Sequence, residues 1–233
     1  MAGQHAARRC LRDELFLLAH DEHDRWRPRV STRSLAVGLA GAALVDLLLT
    51  GNLRADSGHV TARSRYVRHG LDPICARIVA DLAMTSAWIP VREAVIGTAA
   101  DLYEYTLIHL ITTDLITAQG RRLGRGFRYR PADSADVGNA RYHPRRRVQT
   151  LGQGTTRPVP ATDALCALIR ALRIEAALHL ELPGNELRTR LATITAQYRA
   201  NHPDPWLVAT PDLISAVEAA LGNASTQRHP APS

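Results

Sequence analysis

Lysine is absent. All 29 basic side chains are arginine, which excludes the classes whose chemistry turns on a primary amine: phosphate-binding loops ending in lysine, Schiff-base enzymes and protein kinases. Cysteine is scarce. Cys10, Cys75 and Cys166 are isolated, odd in number and in no CxxC pairing, so neither a disulfide framework nor a zinc site is expected, and a reducing, intracellular protein is. Long apolar runs are missing as well. The longest, Leu35 to Val45, spans 11 residues before Asp46, against the roughly 18–20 needed to cross a bilayer. Asp13 and Glu14 interrupt the apolar patch near the N terminus and no small-residue cleavage site follows, so no secretory signal is read and a cytoplasmic location is expected. Aromatic residues make up only 5% of the 233, while hydrophobic residues reach 45%. With alanine and leucine dominating, that balance predicts a mainly α, single-domain protein with an aliphatic core.

What is present in excess is charge of one sign in one place. Residues 121–147, RRLGRGFRYRPADSADVGNARYHPRRR, hold nine arginines against two aspartates, and without them the chain keeps equal numbers of acids and bases. The whole formal charge of +7 therefore sits in this stretch. Phe127, Tyr129 and Tyr142 stand among the arginines.

The rest of the chain reads as helices joined by turns. LRDELFLLAH from Leu11 is a first helix with Leu15 and Leu18 on one face, and HDEHDRWRPR after it is an exposed turn ended by Pro28. STRSLAVGLAGAALVDLLLTGNL opens on a serine or threonine cap, closes at Gly51 and is apolar almost all round, as a central core helix is. LRADSGHVTA has a Ser-Gly turn between strand-like halves and predicts a small hairpin. A helix starts near Pro73, and about two more run to Gly120. RRLGRGFRYRP then alternates arginine with Leu123, Phe127 and Tyr129 around glycines, which predicts a short exposed β-hairpin. After the linker LGQGTTRPVPAT, Leu165, Leu168, Ile169, Leu172 and Ala176 form one helical stripe. ELRTRLATITAQYRA and PDLISAVEAAL supply two more helices. The expected organisation is an extension over 1–10, a helical domain over 11–221 with a basic hairpin and loop at 121–147, and a disordered tail over 222–233.

The stretch RDELFLLAHDEHDRWRPRVSTRSLAVGLAGAALVDLLLTGNL resembles the opening of the Golgi phosphoprotein 3 family, which has bacterial members common in actinobacteria. There an acidic-leucine helix, a short turn, an alanine- and leucine-rich helix with D-L-x-L-x-G-x-L at its end, and a small hairpin follow in this order. The later order, a helix, a basic-hydrophobic hairpin, a variable segment and a helix like DALCALIRALRIEAA, is similar too. The resemblance implies a helical domain without catalytic activity that docks on membranes through phosphatidylinositol 4-phosphate. It also implies a role for the hairpin in membrane contact and self-association, and a protein cargo. The family's headgroup pocket of one tryptophan and three arginines falls here on Ser31, Ala40, Thr106 and His109. None of those four supplies a fixed charge for a phosphomonoester. Trp26 lies five residues ahead of Ser31.

Three readings of the basic stretch compete: a solvated loop, a nucleic-acid surface and a membrane contact. A helix followed by a basic hairpin also describes a winged-helix module, but residues 101–119 carry three acids and no arginine, a poor recognition helix for phosphate. The membrane reading places Arg121, Arg122, Arg125, Arg128 and Arg130 on anionic headgroups and inserts Leu123, Phe127 and Tyr129. No cofactor is implied. HDEHD at 20–24 has ligand-type side chains, yet consecutive turn residues rarely converge on one tetrahedral point, so no metal is expected. His109 reads as a satisfied core or pocket-edge histidine. No nucleophile, base and orienting acid assemble from spacing, and an enzyme is not expected.

Overall fold

The computed structural model describes residues 9–21, 26–64, 70–85, 87–120, 127–132, 135–179, 184–204, 207 and 209–226. Helix α1, Leu11–Leu18, is a short segment with all eight residues buried. Its polar residues are therefore inside the protein along with its leucines, because each reaches a partner on a different element. Helix α2, Thr32–Leu49, follows, capped by the Ser31 hydroxyl, which accepts from the Ser34 N–H at 3.0 Å. It ends in a Schellman motif: left-handed Gly51 donates to Leu48 O and Asn52 to Leu47 O, closing the carbonyls that a helix end leaves open.

Strands β1, Leu53–Asp56, and β2, His59–Ala62, form the expected hairpin. Its turn uses positive φ at both Ser57 and Gly58, the pair of left-handed residues that matches strand twist. Helix α3, Pro73–Thr85, is capped by Asp72, whose Oδ1 accepts from the N–H groups of Ile74 and Cys75. Strand β3, Ile89–Pro90, adds to β2, and helices α4, Val91–Ala99, and α5, Leu102–Thr112, come next.

Here the structure corrects one boundary. The helix stops at Thr112, eight residues before Gly120, because Asp114 adopts φ +55° and closes a second Schellman motif, with Asp114 N donating to Ile111 O and Leu115 N to Leu110 O. Aspartate stands where glycine is usual. The chain then turns into β4, Ile116–Gly120, paired antiparallel with β5, Phe127–Pro131.

A second correction concerns the expected loop. Helix α6, Ala135–Gly152, takes up the latter half of the basic stretch, with Pro144 inside it. Val137, Ala140, Arg141, Pro144, Val148 and Leu151 are its buried positions, a helical stripe that the glycine and proline content obscured. Helix α7, Pro160–Leu172, carries Leu165, Leu168, Ile169 and Leu172 inward. Ala176 leaves that stripe: Arg173 turns left-handed at φ +57°, and Ala176 sits exposed in a 3-10 turn, Glu175–Leu178. Helices α8, Gly184–Ala196, α9, Tyr198–Asn201, and α10, Thr210–Thr226, complete the chain, the last running past Gly222.

Helix α2 is the axis of this mainly α fold and packs against α1, α4, α5, α7 and α10. By length and composition it could cross a bilayer, but 78% of its apolar window is buried within the protein. Such close neighbours need small residues. A Cβ on Gly41 would lie 2.4 Å from Val217 Cγ2, and one on Gly38 2.6 Å from Leu172 Cδ1. The leucine methyl sits at the end of a flexible side chain, whereas the valine methyl hangs from a β-branched carbon with one favoured rotamer in a helix. Gly41→Ala is therefore expected to destabilise by about 1–2 kcal/mol net of its gain in helix propensity, and more than Gly38→Ala. Denaturant unfolding of the two variants checks this, with Val217→Ala added to Gly41→Ala recovering part of the loss.

Candidate membrane-facing site

The β4–β5 pairing runs from Ile116 opposite Pro131 to Gly120 opposite Phe127. Leu115 and Ile116 are buried and anchor its base, and the remaining residues of β4 are exposed. Side chains alternate across a strand pair. Arg128 and Arg130 therefore share one face with their partners Gln119 and Thr117, while Phe127 and Tyr129 share the other with Gly120 and Ala118. Both arginines are exposed. The rings differ: Tyr129 is half-buried and packs on the core, whereas Phe127, farther from the base, is 63% exposed. Arg121, Arg122, Leu123 and Arg125 lie outside the described residues.

The arginines of α6 have other work. Arg141 is buried, donates to His20 O at 3.0 Å and stacks over the Trp26 ring at 4.8 Å. Arg147 donates to Glu14 at 2.6 Å. Arg146 is exposed and reaches the Tyr142 hydroxyl at 3.3 Å. The basic stretch is thus split between a projecting hairpin and a helix that buries Arg141 and turns the half-exposed Arg147 onto the buried Glu14.

The turn after α1 is corrected too, since His20 and Trp26 are buried. His20 stacks on Phe16 and Trp26 at centroid distances of 4.3 and 5.2 Å. Its Nδ1 pairs with Phe16 O at 2.7 Å and its Nε2 with the Tyr103 hydroxyl at 3.2 Å. Burial, with the Arg141 charge adding to it, pulls the imidazole down to about 4. Burial and then the nearby Tyr129 phenol raise the Tyr103 hydroxyl, which places the base of the hairpin beside this aromatic cluster. Among the described residues no group of three or more ligand-type side chains could hold a metal.

Of the four positions matched to the family pocket, Ala40 and Thr106 have no exposed surface, and the Thr106 hydroxyl donates to Leu102 O at 2.7 Å. Ser31 caps α2, and His109 Nε2 faces Asp13 Oδ2 at 3.4 Å. A cleft of about 610 Å³ lies alongside Thr32 and Tyr103. Arg33 and Arg92 line it, but so do Asp101 and Glu104, with Ala36, Val37 and Ile96 between. Its charges balance, so it is not an evident trap for a polyanion.

Sequence reasoning missed the inward contacts of these arginines, since nothing local distinguishes Arg141 or Arg147 from Arg146; only their helical spacing from Val137 and Ala140 could have hinted at it. The sequence profile described as Golgi phosphoprotein 3 (GPP34) matches residues 11–221. No curated protein sequence matches the chain. That family is lipid-binding, membrane-associated and non-enzymatic in character. With the match running from the start of α1 into α10, the chain belongs to the Golgi phosphoprotein 3 family.

Proposed function

We propose that this protein is a peripheral membrane-binding domain without enzymatic activity, which recognises anionic phospholipid headgroups through the β4–β5 hairpin and holds a protein cargo at the cytoplasmic membrane surface. The observation that carries this reading is the sorting of the hairpin, with Arg128 and Arg130 exposed on one face and the Phe127 ring 63% exposed toward its outer end. Guanidiniums near an acidic bilayer are attracted to it, and an aromatic ring beside them suits the headgroup region. The connection 121–126 would add Arg121, Arg122 and Arg125 as further headgroup contacts and Leu123 as an insertion point. Tyr129 steadies the hairpin base rather than inserting, given its packing on the core. Headgroup choice, phosphatidylinositol 4-phosphate included, would rest on the hairpin surface, since the matched pocket positions carry no arginine.

Co-sedimentation with vesicles tests the reading. Binding should rise with the acidic lipid fraction and weaken with salt. Arg128→Ala with Arg130→Ala should cost roughly thirtyfold, at about 1 kcal/mol per arginine. Phe127→Ala should reduce binding further without changing its salt dependence. Equal binding to neutral vesicles, or a steeply salt-dependent affinity for a DNA duplex with none for acidic vesicles, overturns it.

A further inference from the structure

The junction of α7, α9 and α10 is polar inside, and membrane docking makes no use of it. Asp163 near the start of α7 and His202 just after α9 have side chains 0% and 6% exposed, with His202 Nε2 2.7 Å from Asp163 Oδ2. The Tyr198 ring meets that imidazole edge-on at 4.8 Å. Helix α10 packs on α7 and opens with Thr210, which is fully buried. Only one oxygen of the carboxylate is met. Asp163 Oδ1, the Tyr198 hydroxyl and the Thr210 hydroxyl are all buried, and among the described residues none of the three has a hydrogen-bond partner.

These atoms belong to one cluster. Burial pushes the Tyr198 phenol up to about 12, with the facing Thr210 hydroxyl opposing the rise and the Asp163 charge adding to it. Both neighbours are thus close enough to act on the phenol, yet no hydrogen bond joins any two of the three. Polar groups that face one another beyond bonding distance mark the place of a bridging water. Native interiors rarely keep such groups unmet.

We infer that the α7–α9–α10 junction is a binding site for one ordered water molecule, which donates to Asp163 Oδ1 and accepts from the hydroxyls of Tyr198 and Thr210. The occupant follows from the donors and acceptors present. Water both donates and accepts, as this set requires, and a buried one makes about three hydrogen bonds. An anion would be repelled by the Asp163 carboxylate and could not donate to it. A metal ion needs more strong ligands than one carboxylate and two hydroxyls, and no group of three or more acidic, histidine or cysteine side chains stands there among the described residues. The water ties the start of α10 to both α7 and α9, elements whose polar side chains do not reach one another directly.

The inference stands apart from lipid binding, because it is tested on the full chain with no membrane present. Tyr198→Phe and Thr210→Val keep side-chain shape and remove one hydroxyl each. Each should lower the folding constant about tenfold in denaturant unfolding, since the water loses a partner and the remaining groups are left poorly paired. Relaxation dispersion of the solvent oxygen should count one more long-lived water in the native chain than in the variant carrying both substitutions. A crystal structure at about 2 Å should place that water within hydrogen-bond distance of all three atoms. Circular dichroism confirms that each variant is folded. Single variants as stable as the native chain, or more so, would mean that the hydroxyls are unmet, because deleting an unpaired buried polar group relieves the fold. Losses without a long-lived water would mean a direct bond between Tyr198 and Thr210. Either result overturns the site.

Discussion

Arg12→Ala is expected to destabilise the fold by about 3–5 kcal/mol, read as a fall in unfolding midpoint of roughly 8–15 °C for a chain of this size. The Arg12 side chain has no exposed surface, and it pairs with Asp13 and Asp72 at 2.8 Å each. Removing it leaves two carboxylates in poorly hydrated positions, Asp13 with only its contact to His109 and Asp72 with the amide hydrogens it caps. An uncompensated buried charge costs more than the ion pair was worth. Asp72→Asn separates the two roles of that residue, since asparagine keeps a cap oxygen for Ile74 and Cys75 while losing the charge. Its loss should be clearly smaller. Equal losses for the two variants would assign the effect to the α3 cap instead of the buried pair.

Acidification is expected to remove about 3 kcal/mol of stability between pH 6.5 and about 4 through His20 alone. The unfolded chain takes up this proton near 6.5, whereas the folded imidazole, buried between Phe16 and Trp26 and beside Arg141, does so only near 4. Below the unfolded value the unfolded state binds more protons, so stability falls as pH drops through this interval. Asp13 and Asp72, which the opposing pull of burial leaves held below the usual carboxylate range by His109 and Arg12, give up their contributions at still lower pH. Asp163 acts in the opposite sense, since burial raises it and protonation there favours the folded chain. His20→Phe keeps a stacked ring but cannot titrate. Comparing stability against pH for the two proteins isolates the histidine, and an unchanged slope between pH 6.5 and 4 would refute the assignment.

These two residues also show where local reading stops. The hairpin at residues 53–62 and the central helix were legible, because Ser-Gly turn chemistry and an unbroken apolar run act through immediate neighbours. Pro73 announced α3 in the same way. The end of α5 was not legible, since Asp114 performs a glycine's task and only the pull of Leu115 and Ile116 into the core makes that worthwhile. In the candidate site the exposed hairpin could be read from alternation. The helix behind it could not, for glycine, proline and arginine together look like a loop until Val137, Val148 and Leu151 find α1 and α7 to pack against.

By itself the sequence determined that no lysine chemistry is available, that an alanine- and leucine-rich helix forms the axis, and that all net charge is concentrated in residues 121–147. Only the tertiary structure decided which arginines face water. Arg12 and Asp72 are 60 residues apart and Glu14 and Arg147 are 133 apart. Whether a guanidinium is buried depends on a carboxylate or carbonyl arriving beside it to replace water, and that partner is set by how helices pack, not by the residues on either side of it in the chain.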